Sequence, residues 1–110
     1  VLSFEKHGIT RTDAFRIASF IKMLPEDADL IIHCEAGISR SAGVAAAICF
    51  VYGLDDSWLW SAKGKFAPNS HVAEFVTREL GVDPGLTFQQ KWIKLIEETK
   101  KEFDNEEEIF

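Results

Sequence analysis

The sequence DLIIHCEAGISRSAGVAAAICFVY, residues 29–52, gives the strongest indication of fold in this 110-residue chain. Its first part, Asp29 to His33, is a short apolar run typical of a buried parallel strand. Its last part, Ser41 to Tyr52, is apolar on every side and small at the start, which predicts a central helix packed all round. Gly53 is expected to end that helix. A polar loop therefore joins the end of a strand to the start of a helix.

The flanking segments predict further elements. Residues 1–4 read as the end of a strand. Phe15 to Leu24 forms a broad apolar helical face, which Thr10 or Thr12 can cap and which stops at Pro25. Three more helices are predicted in the second half: one carrying Trp58 and Trp60 after a cap at 55–57, one from His71 to Leu80, and one from Phe88 to Phe103.

This order of elements predicts an α/β fold, with a central, mostly parallel sheet flanked by helices and a helical C-terminal half. At 110 residues the chain fits one domain, residues 1–110, with a single core. Val1 opens directly into an apolar segment without an initiator Met, so we expect residues to be missing upstream.

Charge and hydropathy exclude several partners. A net charge of −6 and a pI near 5.0 argue against nucleic-acid or anionic-membrane partners, which select for basic surfaces. The longest apolar run, Ala45 to Tyr52, is far shorter than the roughly 20 residues that cross a bilayer. Residues 1–20 lack a signal-peptide pattern. We therefore expect a cytoplasmic protein. Its two cysteines, Cys34 and Cys49, are expected to be free thiols, and Cys49 is expected to lie in the core.

The loop His33-Cys34-Glu35-Ala36-Gly37-Ile38-Ser39-Arg40-Ser41 carries the chemistry. Successive backbone N–H groups between a strand and a helix start can converge on an anion, and phosphate fits best. Arg40 adds a charged fork that matches two phosphate oxygens. The predicted phosphate-binding residues are Glu35, Ala36, Gly37, Ile38, Ser39 and Arg40.

Cys34 is the predicted nucleophile. The helix start, the inward N–H groups and Arg40 should lower the pKa of its thiol well below the free value near 8.5. The Ser41 hydroxyl can donate to the sulfur and stabilise it as a leaving group. We expect His33 to orient the loop. A thiolate of this kind is also open to reversible oxidation by peroxide.

The pattern His-Cys-x-x-Gly-x-x-Arg-Ser resembles the signature of protein tyrosine phosphatases, and its flanking strand and helix resemble the compact dual-specificity branch. Ala67-Pro68-Asn69 also resembles a Pro-Asn turn downstream in such proteins. The resemblance implies two-step phosphomonoester hydrolysis through a phospho-cysteine, without metal or cofactor. Cys34 would be the nucleophile, Arg40 the phosphate ligand and Ser41 the hydroxyl that aids breakdown of the intermediate. The substrate would be a phosphorylated protein or a small phosphoester.

The residues available to act as general acid do not match the family pattern. The family places an aspartate roughly thirty residues before the cysteine, where it protonates the leaving oxygen. Glu5 matches that spacing but not the residue type, and Asp13 matches the type but not the spacing. Glu5 is the favoured general acid, Asp13 is the alternative, and His7 ranks third.

Three other interpretations stay open. A phosphate-recognition module would bind a phosphoester without turning it over. A rhodanese-like sulfurtransferase also uses a cysteine loop, but with fewer residues before its arginine. Low-molecular-weight phosphatases and arsenate reductases place the loop nearer the N-terminus.

Glu35 and Ile38 replace the basic residues expected around a phosphoinositide, which favours a phosphoprotein over a lipid substrate.

Overall fold

The computed structural model describes residues 2–4, 10–25, 27–28, 32–34, 39–62, 64 and 66–108. The elements in chain order are β1 (Leu2–Phe4), α1 (Arg11–Met23), β2 (Ile32–Cys34), α2 (Arg40–Tyr52), α3 (Ser70–Glu79) and α4 (Thr87–Glu108). The helices predicted from the first apolar face, the small-residue run and the two last segments are confirmed. The helix expected to carry Trp58 and Trp60 is not formed, because residues 57–59 make a turn.

The predicted α/β fold, with a central, mostly parallel sheet flanked by helices, is wrong. β1 and β2 do pair in parallel, with Leu2 opposite Ile32 and Phe4 opposite Cys34. Each strand has only three residues, and the described part of the chain holds no third strand. So small a sheet cannot form a core of its own. The described residues instead form a domain whose core is built by four helices.

Helix α1 begins at a capping box. The Thr10 side chain accepts a hydrogen bond from the Asp13 N–H, and the Asp13 carboxylate accepts one from the Thr10 N–H. This arrangement satisfies N–H groups that a helix start otherwise leaves unpaired. The helix ends before Pro25, as predicted, and its buried face consists of Ala14, Ile17, Ala18 and Ile21.

Helix α2 is the central element, and its small residues let α3 approach closely. A Cβ atom built on Gly43 would lie 2.7 Å from the Asn69 carbonyl oxygen and 2.9 Å from the Val72 Cβ. Only glycine fits between the two helices at this point. At the other end, Gly53 has φ 68° and closes the helix by donating its N–H to the Cys49 carbonyl, the usual role of a left-handed glycine.

Two apolar clusters make the core. The first joins α1, α2 and α3, and consists of Ala14, Ile17, Ile21, Val44, Ala47, Val72 and Val76. The second joins α2 to the later segments, and consists of Ala42, Ala46, Cys49, Leu59, Ala73 and Phe88. Lys91 of α4 also forms an ion pair with Asp56. The clusters fix α2 along its length, and with it the position of its first turn.

Of the helices in the described ranges, none combines the length and the apolar character needed to cross a membrane.

Candidate active site

The predicted nucleophile and the predicted phosphate ligand lie at the two ends of one loop. Cys34 is the last residue of β2, and Arg40 is the first residue of α2. The last two residues of the strand predicted at 29–33 lie in β2, residues 29–31 lie outside the described residues, and the predicted helix is formed as α2. Four of the predicted phosphate-binding residues, Glu35, Ala36, Gly37 and Ile38, lie outside the described residues, as do Glu5 and His7.

The start of α2 differs from an ordinary capped helix start. Ser39 occupies the N-cap position with φ −111° and ψ −62°, and its side chain makes no capping hydrogen bond. An N-cap residue normally adopts extended dihedrals, which bring its side-chain oxygen to the N–H groups of the first turn. The right-handed helical conformation of Ser39 prevents that contact. The Ser39 side chain therefore does not cap α2.

The charged and polar side chains at this helix start suit an anion. Arg40 is half-buried, Ser41 is 5% exposed, and the first turn of α2 contains no acidic residue. A partly desolvated guanidinium strengthens charge-assisted hydrogen bonds to a phosphate. The first turn of α2 therefore carries a basic side chain and no acidic one, in a chain whose net charge is −6.

The turn at 67–69 fastens the start of α3 to the start of α2. The Asn69 side-chain oxygen accepts hydrogen bonds from the N–H groups of His71, at 3.0 Å, and Val72, at 3.2 Å, and so caps α3. The Asn69 N–H donates to the Ser39 carbonyl oxygen at 3.0 Å. The Pro-Asn turn noticed in the sequence thus contacts the C-terminal end of the candidate phosphate loop.

Sequence reasoning missed the part that Gly43 plays in this arrangement. Its N–H donates to the Ser39 carbonyl oxygen at 2.9 Å, so that oxygen accepts two hydrogen bonds. Its missing side chain lets the Asn69 carbonyl approach α2. A signal was present, because glycine inside a helix destabilises it by about 1 kcal/mol relative to alanine unless close packing requires it.

Asp13 has a structural role at the start of α1. Its carboxylate accepts the Thr10 N–H at 3.0 Å. This bond and the hydrogen bond with the Thr10 hydroxyl hold the pKa of Asp13 below its ordinary value. A general acid needs a pKa raised toward the working pH, which is the opposite direction. The described geometry therefore assigns Asp13 to the cap of α1.

Cys49 is a core thiol, as predicted. It is 7% exposed and packs with Leu59 and Phe88. Burial raises the pKa of its thiol, and the nearby Asp56 and Asp55 carboxylates raise it further. Cys49 therefore provides an unreactive internal reference for the reactivity expected of Cys34.

Neither the protein-family models, nor the curated proteins, nor the solved structures compared with this chain gave a match. Of residues 33–41, the structure describes His33 and Cys34 at the end of β2 and residues 39–41 at the start of α2.

Proposed function

We propose that the chain is a cysteine-dependent phosphatase of the tyrosine-phosphatase type, with phosphotyrosine-specific or dual-specificity activity on proteins. The observation that carries the proposal is the placement of Cys34 at the end of β2 and Arg40 at the start of α2, with five residues between them. The residue types of the loop and a helix start with no acidic residue in its first turn both suit a phosphate dianion.

In the first step, the Cys34 thiolate attacks phosphorus as the bond from phosphorus to the leaving oxygen breaks. Arg40 and the loop N–H groups hold the three non-bridging oxygens through the transition state. The Glu5 carboxylic acid gives its proton to the leaving oxygen. The products are a phospho-cysteine and the free alcohol or phenol of the substrate.

In the second step, water attacks the phospho-cysteine and passes one proton to the Glu5 carboxylate. The phosphorus–sulfur bond breaks, and the sulfur leaves as a thiolate. The Ser41 hydroxyl donates a hydrogen bond to that sulfur and stabilises the departing charge. Inorganic phosphate is released and both catalytic residues return to their starting states. Neither step draws on a metal or a cofactor.

The proposed substrate is a phosphorylated protein or a small phosphoester, since Glu35 and Ile38 do not provide the basic contacts that a phosphoinositide head group needs. We propose no nucleic-acid or membrane partner. The proposed location is the cytoplasm, where reducing conditions keep Cys34 in the thiol form that the mechanism requires.

A phosphate-recognition module is the second candidate. The structural role of Asp13 favours it, because that role removes one of the two acidic residues considered for leaving-group protonation. In such a module Cys34 and Arg40 would bind the phosphoester without releasing phosphate. The two functions differ in turnover, which a direct assay measures.

The test is hydrolysis of para-nitrophenyl phosphate by the parent protein, Cys34→Ser and Arg40→Lys, with Cys49→Ser as the matched control. Cys34→Ser removes the nucleophile and should lower kcat at least about a thousandfold. Arg40→Lys removes the bidentate contact of the guanidinium with phosphate and should lower kcat about a hundredfold. Cys49→Ser should keep its activity. An inert parent protein that still binds phosphotyrosine peptide would replace the enzyme with the recognition module, and turnover by Cys34→Ser would contradict both.

The role of Glu5 is tested with two leaving groups. Phenyl phosphate needs a protonated leaving oxygen far more than para-nitrophenyl phosphate does, so Glu5→Gln should lower kcat about a hundredfold on phenyl phosphate and much less on the nitrophenyl ester. A general acid works only while protonated, so Glu5→Gln should also abolish the decline of kcat at high pH. Asp13→Asn is the control and should keep both features. If Asp13→Asn has these effects instead, Glu5 is not the acid.

A further inference from the structure

A cavity lies between the C-terminal ends of α1 and α2. Its volume is about 400 Å³, which is within the range of small-molecule sites in proteins. Tyr52 and Leu54 are 52% and 57% exposed, so the cavity is open to solvent on their side. Most of its described lining is apolar and comes from both helix ends: Ile21, Leu24 and Pro25 on one side, Ile48, Tyr52 and Leu54 on the other.

This cavity is separate from the candidate catalytic loop. Tyr52 is the last residue of α2, and Arg40 is the first. The 13 residues of the helix place these two backbone positions about 18 Å apart. Of the described residues that line the cavity, none belongs to 33–41. A molecule bound in the cavity would therefore occupy a second site.

Two helix C-termini meet at the cavity. Leu24, which lines it, is the C-cap residue of α1, and Tyr52, which also lines it, ends α2. The C-terminus of a helix carries about half a negative elementary charge, because the peptide dipoles are aligned. Two such ends at one cavity favour a positively charged group between them.

Two exposed carboxylates strengthen this preference. Asp27 precedes Ala28, another lining residue, and Asp55 follows Leu54. Neighbouring Cα atoms are about 3.8 Å apart, well within the distance of about 8 Å over which charges act at physiological salt. Hydrogen bonds from the Ser57 N–H and hydroxyl hold the pKa of Asp55 below its ordinary value, so this carboxylate is charged at neutral pH.

The basic residue in the last turn of α1 is directed to another part of the molecule. That residue is Lys22, whose Nζ donates to the Glu79 carbonyl oxygen of α3 at 3.2 Å. Residues 49–52, the last turn of α2, contain no lysine or arginine. Neither helix end therefore supplies a cation to the cavity, and a ligand can provide it.

We propose that this cavity binds a small organic cation, an ammonium group carried on an apolar body. The body fills the aliphatic interior, and the ammonium group lies between the helix ends, within reach of the Tyr52 ring, whose face attracts cations. A small molecule suits the cavity better than a protein partner does. A stable protein interface takes about 20–30 residues a side, whereas seven described residues line this cavity.

Three ligands of matched skeleton test the charge preference: 4-phenylbutylammonium, 4-phenylbutanol and 4-phenylbutyrate. Each is titrated into the whole chain while amide chemical shifts are followed by NMR. The ammonium compound should bind at least about tenfold more tightly than the carboxylate, with the alcohol between them. Its shifts should fall on residues 24–28 and 52–54 rather than on 39–41. Equal affinities, tighter binding of the carboxylate, or no binding of the ammonium compound would overturn the proposal.

A matched pair of substitutions tests the aromatic contact. Tyr52→Ala should weaken binding of 4-phenylbutylammonium at least about threefold, because it removes the ring. Tyr52→Phe keeps the ring and should bind as the parent does. Circular dichroism should show an unchanged fold for both variants, since Tyr52 is exposed. Equal affinity of Tyr52→Ala and the parent would contradict the placement of the ammonium group.

Removal of one carboxylate tests the electrostatic contribution. Asp27→Asn should weaken binding of 4-phenylbutylammonium about twofold and leave binding of 4-phenylbutanol unchanged, because only the first ligand is charged. Glu97→Gln is the control, since Glu97 is an exposed residue of α4 and should affect neither ligand. An equal loss for both ligands in Asp27→Asn would show that Asp27 acts through structure and would overturn its proposed role.

Discussion

The starts of α1 and α2 use similar N-cap residues in opposite ways. Thr10 and Ser39 both carry a hydroxyl at the N-cap position. Thr10 is extended, with φ −91° and ψ 168°, and its hydroxyl accepts the Asp13 N–H. Ser39 has helical dihedrals and makes no capping bond with its side chain. The backbone conformation, rather than the residue type, decides which helix start is capped from within.

The starts of α1 and α3 are capped by side chains, whereas the Ser39 side chain does not cap α2. The capping box satisfies N–H groups at the start of α1 inside the protein, and the Asn69 side chain does the same at the start of α3. The start of α2 instead follows the loop that carries the candidate nucleophile, and its cap side chain makes no such bond. The proposed function assigns a ligand anion to the start of α2, since helix N-termini favour anions.

The largest expected effect comes from breaking the contact that holds the α2 start against α3. Gly43→Val would force side-chain atoms against the Asn69 carbonyl oxygen and the Val72 Cβ. Overpacking of this kind should lower the free energy of unfolding by about 3 kcal/mol, and it should displace Asn69 from Ser39 and reduce phosphatase activity. Urea unfolding and the nitrophenyl phosphate assay measure the two effects.

Gly53→Ala is the control for that prediction. Gly53 has φ 68° and no atom within 4 Å of a built Cβ, so an alanine there meets backbone strain but no crowding. We expect a loss of about 1 kcal/mol with activity intact. Activity retained by Gly43→Val at full stability would show that the close approach of α3 does not position the loop.

A smaller loss of stability is expected when the N-cap hydroxyls of α1 and α2 are removed. Thr10→Ala removes a working cap and should lower the free energy of unfolding by about 1 kcal/mol, without changing turnover. Ser39→Ala removes a hydroxyl that makes no cap and should change stability by less than about 0.5 kcal/mol. Both are measured by urea unfolding. Equal losses would mean that Ser39 caps α2 after all.

The smallest effect is a pH dependence at the start of α1. Because the folded protein holds the pKa of Asp13 below its ordinary value, the folded state binds this proton less readily than the unfolded state does. The resulting stabilisation is present above the unfolded pKa, near 3.9, and is lost as pH falls through the lower folded pKa. Asp13→Asn should therefore lose less stability on acidification than the parent, as followed by unfolding at several pH values. A steeper loss in the variant would contradict the capping role.

The sequence was most informative where local chemistry decides structure. Thr10, Pro25 and Gly53 mark helix ends through capping, ring geometry and a left-handed conformation, and all three appear as expected. A strand ends at Cys34 and a helix begins at Arg40, as the distinct lengths and patterns of the flanking runs predict.

The sequence failed where structure depends on distant contacts. The run at 29–33 predicts a buried strand but does not determine how many strands pair with it. The predicted central sheet therefore had more strands than the two that the described residues form. The helix predicted to carry Trp58 and Trp60 was wrong for a different reason. The Asp55 carboxylate accepts the Ser57 N–H at 3.1 Å, and the Asp55 carbonyl accepts the Trp58 indole N–H at 3.0 Å. These bonds close a local turn in place of a helix.

The activation of Cys34 is tested by the pH dependence of its alkylation with iodoacetamide in a Cys49→Ala protein, followed by intact mass. The proximity of Cys34 to the start of α2 in the chain, and Arg40, predict a midpoint for thiolate formation below about pH 7, an upward shift of that midpoint in Arg40→Ala, and slower alkylation when inorganic phosphate is added. A midpoint near 8.5, the free-cysteine value, unchanged by Arg40→Ala and by phosphate, would contradict the claim that this helix start activates Cys34.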